Sequence, residues 1–113
     1  MKVTKFARQL TAFLGEYLPT QRGVSPHTIR SYRDSFVLFL RFLREERGLA
    51  TERVDLDHLQ PDTVARFLRH LEQKRASQTG TCNLRLAAIH SFARYLQLQE
   101  PARMAQLQRV LAV

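Results

Sequence analysis

Residues 25–48 read SPHTIRSYRDSFVLFLRFLREERG, and the architecture turns on this stretch. Ser25 offers a side-chain oxygen for an N-cap. Pro26 suits the first helical position, where its missing N–H has no intrahelical partner to lose, and Gly48 accepts the left-handed conformation that closes many helices. At about 100° per residue, Ile29, Tyr32, Phe36, Phe39, Leu40 and Leu43 fall on one arc, the apolar stripe of a helix laid on a core. The spacing therefore predicts a long helix over Pro26–Arg47.

Outward from it the same period continues. Phe6, Leu10, Phe13, Leu14 and Tyr17 predict a first helix from Thr4 to Leu18, ended by Pro19, with Gly23 in the connector. Leu49 to Gln60 reads as a long connection holding one turn. Pro61 opens a third helix whose stripe is Val64, Phe67, Leu68 and Leu71, running to Lys74. The polar stretch Ala76 to Gly80 precedes a fourth helix over Thr81–Leu98, with Ala88, Ile89, Phe92, Tyr95 and Leu96 as its core residues. After Pro101 a weaker pattern at Met104, Leu107 and Leu111 leaves two readings: a short fifth helix, or a segment whose partner lies elsewhere. Alternating strand patterns, repeats and low-complexity tracts are absent. The fold class is all-α, a bundle of four to five helices.

The chain has 113 residues and is 44% hydrophobic, enough for one small domain with a core. No apolar run approaches a membrane span, and the N-terminus lacks the apolar stretch of a secretion signal. A lone Cys82 excludes an internal disulfide and fits a reducing, cytoplasmic location. Eighteen Lys and Arg stand against ten Asp and Glu, a formal net charge of +8, and the commonest soluble partner of such a surface is a polyphosphate, nucleic acid first. Lysine stands only at Lys2, Lys5 and Lys74. The remaining cations are arginines, whose fork pairs with phosphate or a guanine edge.

On the long helix, Arg30, Arg33, Arg41 and Arg44 share the flank beside the apolar arc, in two pairs along about 21 Å, with Val37 between them. Such a stripe suits a phosphate backbone or a groove; the plainer reading is a solvated face paired with Asp34 and Glu45. The fourth helix offers a polar arc of Asn83, His90, Arg94 and Gln97, preceded by the short donors Ser77, Gln78, Thr79, Gly80 and Thr81. A helix start with free N–H groups can hold a phosphate, and the plainer reading is N-capping by Thr79 or Thr81. Arg85 projects near the centre of the apolar arc, so either the helix start is offset or its stem packs while its head escapes to solvent. His27, His58, His70 and His90 lie on different elements without metal-ligand spacing and read as surface residues. No nucleophile motif or glycine-rich phosphate loop is present. Neither a metal, a cofactor nor a small-molecule substrate is expected, and no catalytic residue is assigned.

The run Ser25-Pro-His-Thr28-Ile-Arg-Ser-Tyr32, continuing to Phe36, Phe39 and Phe42, resembles the S-x-x-T-x-x-x-Y helix of the N-terminal core-binding domain of tyrosine recombinases, the phage-integrase family. Leu56-x-x-Leu59-x-Pro61, Val64-x-x-Phe67-Leu68 and Thr81-x-Asn83-x-x-Leu86-x-Ala88-Ile89-x-x-Phe92-x-x-Tyr95-Leu96 resemble that domain's third and fourth helices, so the likeness spans Thr4 to Leu98. Leu84 departs from the pattern, since family members often carry a basic residue directly after the asparagine, and Arg85 comes one position later.

The resemblance implies a SAM-like bundle over residues 1–100 that forms half of a C-shaped clamp on double-stranded DNA, its second and fourth helices facing the major groove. Residues 101–113 would then begin a linker or a short fifth helix. The contact candidates it implies, joined to those of the pattern, are Ser25, His27, Thr28, Arg30, Arg33, Arg41 and Arg44 on the second helix. On the fourth they are Thr79, Thr81, Asn83, Arg85, His90 and Arg94. The family's chemistry sits in a following domain, so the resemblance implies a bacterial or phage-encoded fragment or truncated product that binds without cutting. It would be monomeric alone, and a tetramer on DNA as the full protein. The competing expectation is a helical protein-interaction module that docks through Met104–Val113, its basic face serving only solubility.

Overall fold

The computed structural model describes residues 2–74 and 78–113; Ala76 and Ser77 of the expected polar stretch lie outside them. The described residues are all-α, with five α-helices: α1 Lys5–Ala12, α2 Pro26–Arg47, α3 Pro61–Lys74, α4 Thr79–Gln99 and α5 Met104–Leu111. The chain divides into two compact units, Met1–Leu56 and Asp57–Val113.

In the first unit, Thr4 caps α1 by accepting from the Ala7 N–H at 3.1 Å, and its own hydroxyl donates to the Val54 carbonyl at 2.7 Å. The Asp55 carboxylate accepts from the N–H groups of Phe6 and Leu56, so the start of α1 is tied to the loop that ends this unit. The helix does not stop before Pro19. From Phe13 to Gln21 it continues in the wider π winding, with Pro19 inside it. A proline in an α-helix removes a donor and crowds the carbonyl four residues back, and the wider turn relieves that crowding, so the expected end at Leu18 moves to Gln21. Gly23, at φ 61°, then reverses the chain, and the Val24 N–H donates to the Leu18 carbonyl at 2.8 Å.

The α2 helix has the bounds the sequence predicts. Ser25 Oγ accepts from the Thr28 N–H, Pro26 opens the first turn, and Gly48 closes the helix at φ 62°. There the Gly48 N–H donates to the Arg44 carbonyl, the 5→1 bond of an αL closure, and the Leu49 N–H donates to the Leu43 carbonyl. Ile29, Phe36, Phe39 and Leu43 are buried as expected, joined by Phe42 and Ser35, while Tyr32 and Leu40 are half-buried. Ser35 satisfies its hydroxyl on the Ser31 carbonyl one turn back. The Phe13 ring meets Phe36 edge-on at 6.5 Å, which locks the π segment onto α2.

In the second unit, α3 buries Thr63, Val64, Phe67 and Leu71, and α4 buries Cys82, Ala88, Ile89, Phe92, Ala93, Tyr95 and Leu96. The tail resolves into the fifth helix: Leu107 and Val110 of α5 are buried, and α5 packs on both α3 and α4. Arg103 anchors its start by donating to Asp57 at 2.7 Å and to Gln106 at 3.0 Å, while Gln106 donates to the Leu59 carbonyl. The connection between α2 and α3 holds two short 3₁₀ turns, Thr51–Arg53 and Leu56–His58, where one turn was expected.

Candidate nucleic-acid interface

On α2, Arg30, Arg33, Arg41 and Arg44 are all exposed. The plainer expectation paired them with Asp34 and Glu45. Among the described residues, none of the four arginine side chains makes an ion pair or hydrogen bond, and neither carboxylate does. Four cations within about 21 Å of one helix repel one another over distances near the Debye length of about 8 Å, a cost that a polyanion removes. At the same helix end, Ser25 and Thr28 are occupied with each other: Ser25 Oγ also donates to Thr28 Oγ1 at 3.1 Å. His27 is exposed beside them.

The π winding gives this face a feature that sequence reasoning missed. Leu14, Pro19, Val24, Pro26 and Ile29 floor an open hollow of about 510 Å³ whose rim carries Arg30 and Arg33. No residue pattern announces it, because it depends on the chain running past Pro19 before it turns. Val37, expected between the arginine pairs, stands there 46% exposed.

The α4 helix begins two residues earlier than expected. Gln78 occupies the cap position in extended conformation without a side-chain bond to the helix, so Thr79 and Thr81 lie in the first turn and do not cap it. Thr79, Thr81, Asn83 and Arg94 are exposed, and Leu84 beside them is 44% exposed. The rest of the expected polar arc turns inward. Gln97 Nε2 donates to Gln108 of α5 at 3.1 Å, and His90 is half-buried with a hydrogen bond to the Val110 backbone. Burial lowers the His90 pKa below its ordinary value and the Arg94 charge adds to this, with the Val110 bond opposing both. Arg85 is half-buried with its Nε shielded from solvent. His58 and His70 are also half-buried, so of the four histidines expected at the surface only His27 is fully there.

Among the described residues, no group of three His, Cys, Asp or Glu side chains could hold a metal ion. Cys82 is buried, and burial followed by the Glu72 charge pushes its thiol pKa up, away from the reactive thiolate. No helix of the described residues is long and apolar enough to cross a membrane.

An all-α module with one helix face of open arginines defines the class. Residues 10–100 match the family model described as phage integrase, N-terminal SAM-like domain, and the chain belongs to that family, the N-terminal SAM-like domain of tyrosine recombinases. Among curated relatives, y4rC of Sinorhizobium fredii, named as an integrase/recombinase, is 38% identical over 112 residues, covering 99% of this chain and 34% of the relative. The tyrosine recombinase XerC of Herpetosiphon aurantiacus is 39% identical over 92 residues, 81% of this chain and 28% of that protein. XerC of Pelobacter propionicus is 38% identical over 81 residues, 71% of this chain and 25% of that protein. The chain thus spans about a third or less of the length of these relatives. No solved structure gives a significant match.

Proposed function

We propose that this chain binds double-stranded DNA as the core-binding module of a site-specific tyrosine recombinase. The observation that carries the reading is the row of four exposed, unpaired arginines on α2, within a family whose named members are integrases and recombinases. Arginine–phosphate contacts supply the affinity. Ser25, His27 and Thr28 at the start of α2, and Thr79, Thr81, Asn83 and Arg94 on the exposed side of α4, add contacts of modest sequence preference. Arg85 and His90 contribute chiefly by holding α4 in its unit.

Residues 1–100 carry the binding surface, and 101–113, whose α5 packs on α3 and α4, lead toward the part of the recombinase that works on DNA. The whole protein would cleave one strand through a tyrosine, forming a 3'-phosphotyrosyl link, and rejoin strands through a Holliday junction as a tetramer in the bacterial cytoplasm. The 113 residues alone bind as a monomer and leave no covalent adduct on DNA. The rival reading, docking on a protein through the tail, loses ground because Leu107 and Val110 are already buried within their own unit. Fluorescence anisotropy on a random duplex tests the proposal. With about five phosphates neutralised, log affinity falls against log salt with a slope near −4 to −5, and a flat profile would remove the reading.

A further inference from the structure

The arc of α2 that carries the four arginines is aliphatic at its centre, with the exposed Asp34 and Glu45 lying beyond its edge. Around the exposed arc the order is Arg33, Arg44, Val37, Arg30, Arg41, so an aliphatic side chain 46% open to solvent stands in the middle of four arginines. Along the axis, Arg33 lies about 6 Å before Val37 and Arg41 about 6 Å after it, and their separation of about 12 Å matches the width of the B-DNA major groove. Arginines so spaced reach phosphates on the two sides of a groove and set Val37 over the base edges between them. Val37 has no donor or acceptor to offer. The one group in the major groove that an aliphatic side chain recognises is the 5-methyl of thymine.

We propose that Val37 is a specificity residue that packs on a thymine methyl, so that the preferred duplex places thymine at the groove centre under α2. The inference rests on the DNA-binding reading and names what that face selects. The α4 surface adds a reader of the partner base: Asn83, suited to a two-bond contact with adenine, stands exposed. Both surfaces therefore favour A·T pairs.

The test compares a short duplex of alternating dA and dT with its counterpart in which every dT is replaced by dU, which deletes the methyls and leaves every hydrogen-bonding group in place. Wild-type protein should bind the thymine duplex about fourfold more tightly, the worth of one methyl-sized group of about 0.8 kcal/mol removed from water, with the same salt slope on both. Val37→Ser should bind both duplexes alike, at the wild-type level for the uracil duplex; its circular dichroism spectrum should match wild type, because Val37 is outside the core. Equal wild-type affinity for the two duplexes, with the salt slope present, overturns the inference and leaves DNA binding standing. So does a Val37→Ser protein that keeps the thymine preference. Absence of salt-dependent binding to either duplex removes both readings.

Discussion

At His90 the packing of α4 on α5 becomes a titration. Its lowered pKa means that the folded state favours the neutral ring, with burial as the main cause and the Arg94 charge second. The unfolded chain, with an ordinary histidine pKa near 6.5, takes up a proton first as pH falls, so the stabilisation is complete above that value and is lost on acidification through the window below it. Thermal denaturation should show a melting temperature that is flat above about pH 6.5 and declines toward the folded pKa. His90→Asn should flatten the decline; an unchanged decline would place its origin in other groups. Residue by residue, the sequence was informative wherever a side chain's role is set by its own helix. Phe36, Phe39 and Leu43 fall inside and Arg30, Arg33, Arg41 and Arg44 outside because their angular positions say so. His90 and Gln97 look open to solvent in the sequence because their inward turn is created by α5, whose docking their own periodicity does not contain.

Element boundaries were legible where the cap chemistry is unambiguous. Ser25-Pro26 and Gly48 bracket α2, and Gly48 at φ 62° makes the closure testable. Gly48→Ala should destabilise the protein by about 1 kcal/mol in urea unfolding, because a Cβ strains the left-handed conformation. Nothing lies within 4 Å of that Cβ, so the loss comes from the backbone and not from a clash, and an unchanged midpoint would show that the turn relaxes freely. The bounds of the first and fourth helices are less legible in their residues. A proline reads as a terminator on the assumption of α winding, which the π segment Phe13–Gln21 does not obey. Thr79 and Thr81 both look like caps, whereas Gln78, a poor capping residue, takes the position through its extended backbone.

Across the whole molecule, a net charge of +8 on 113 residues was visible from composition, but composition does not say whether arginines are neutralised by neighbouring carboxylates. The structure supplies that missing fact for α2, where Asp34 and Glu45 share the helix without engaging its arginines. Where pairs do form, as between Arg66 and Asp62 or Arg103 and Asp57, the cation is spent locally. The Arg103 guanidinium holds the Asp57 carboxyl below its usual pKa, so that exposed contact is present at neutral pH and disappears under acid. The motif order from Ser25 to Leu96 carried the family, because it encodes helix lengths and core positions together, and the match over residues 10–100 agrees with it.

The central claim is that the open arginines of α2 hold DNA phosphates. The most direct test is the salt dependence of duplex binding by Arg33→Gln/Arg41→Gln beside wild type. Each lost phosphate contact removes about 0.9 from the magnitude of the slope, so the double variant should bind more weakly at low salt with a slope shallower by about 1.8, its helix content unchanged. A double variant with wild-type affinity and slope would contradict the account, because these side chains would then be solvated and nothing more.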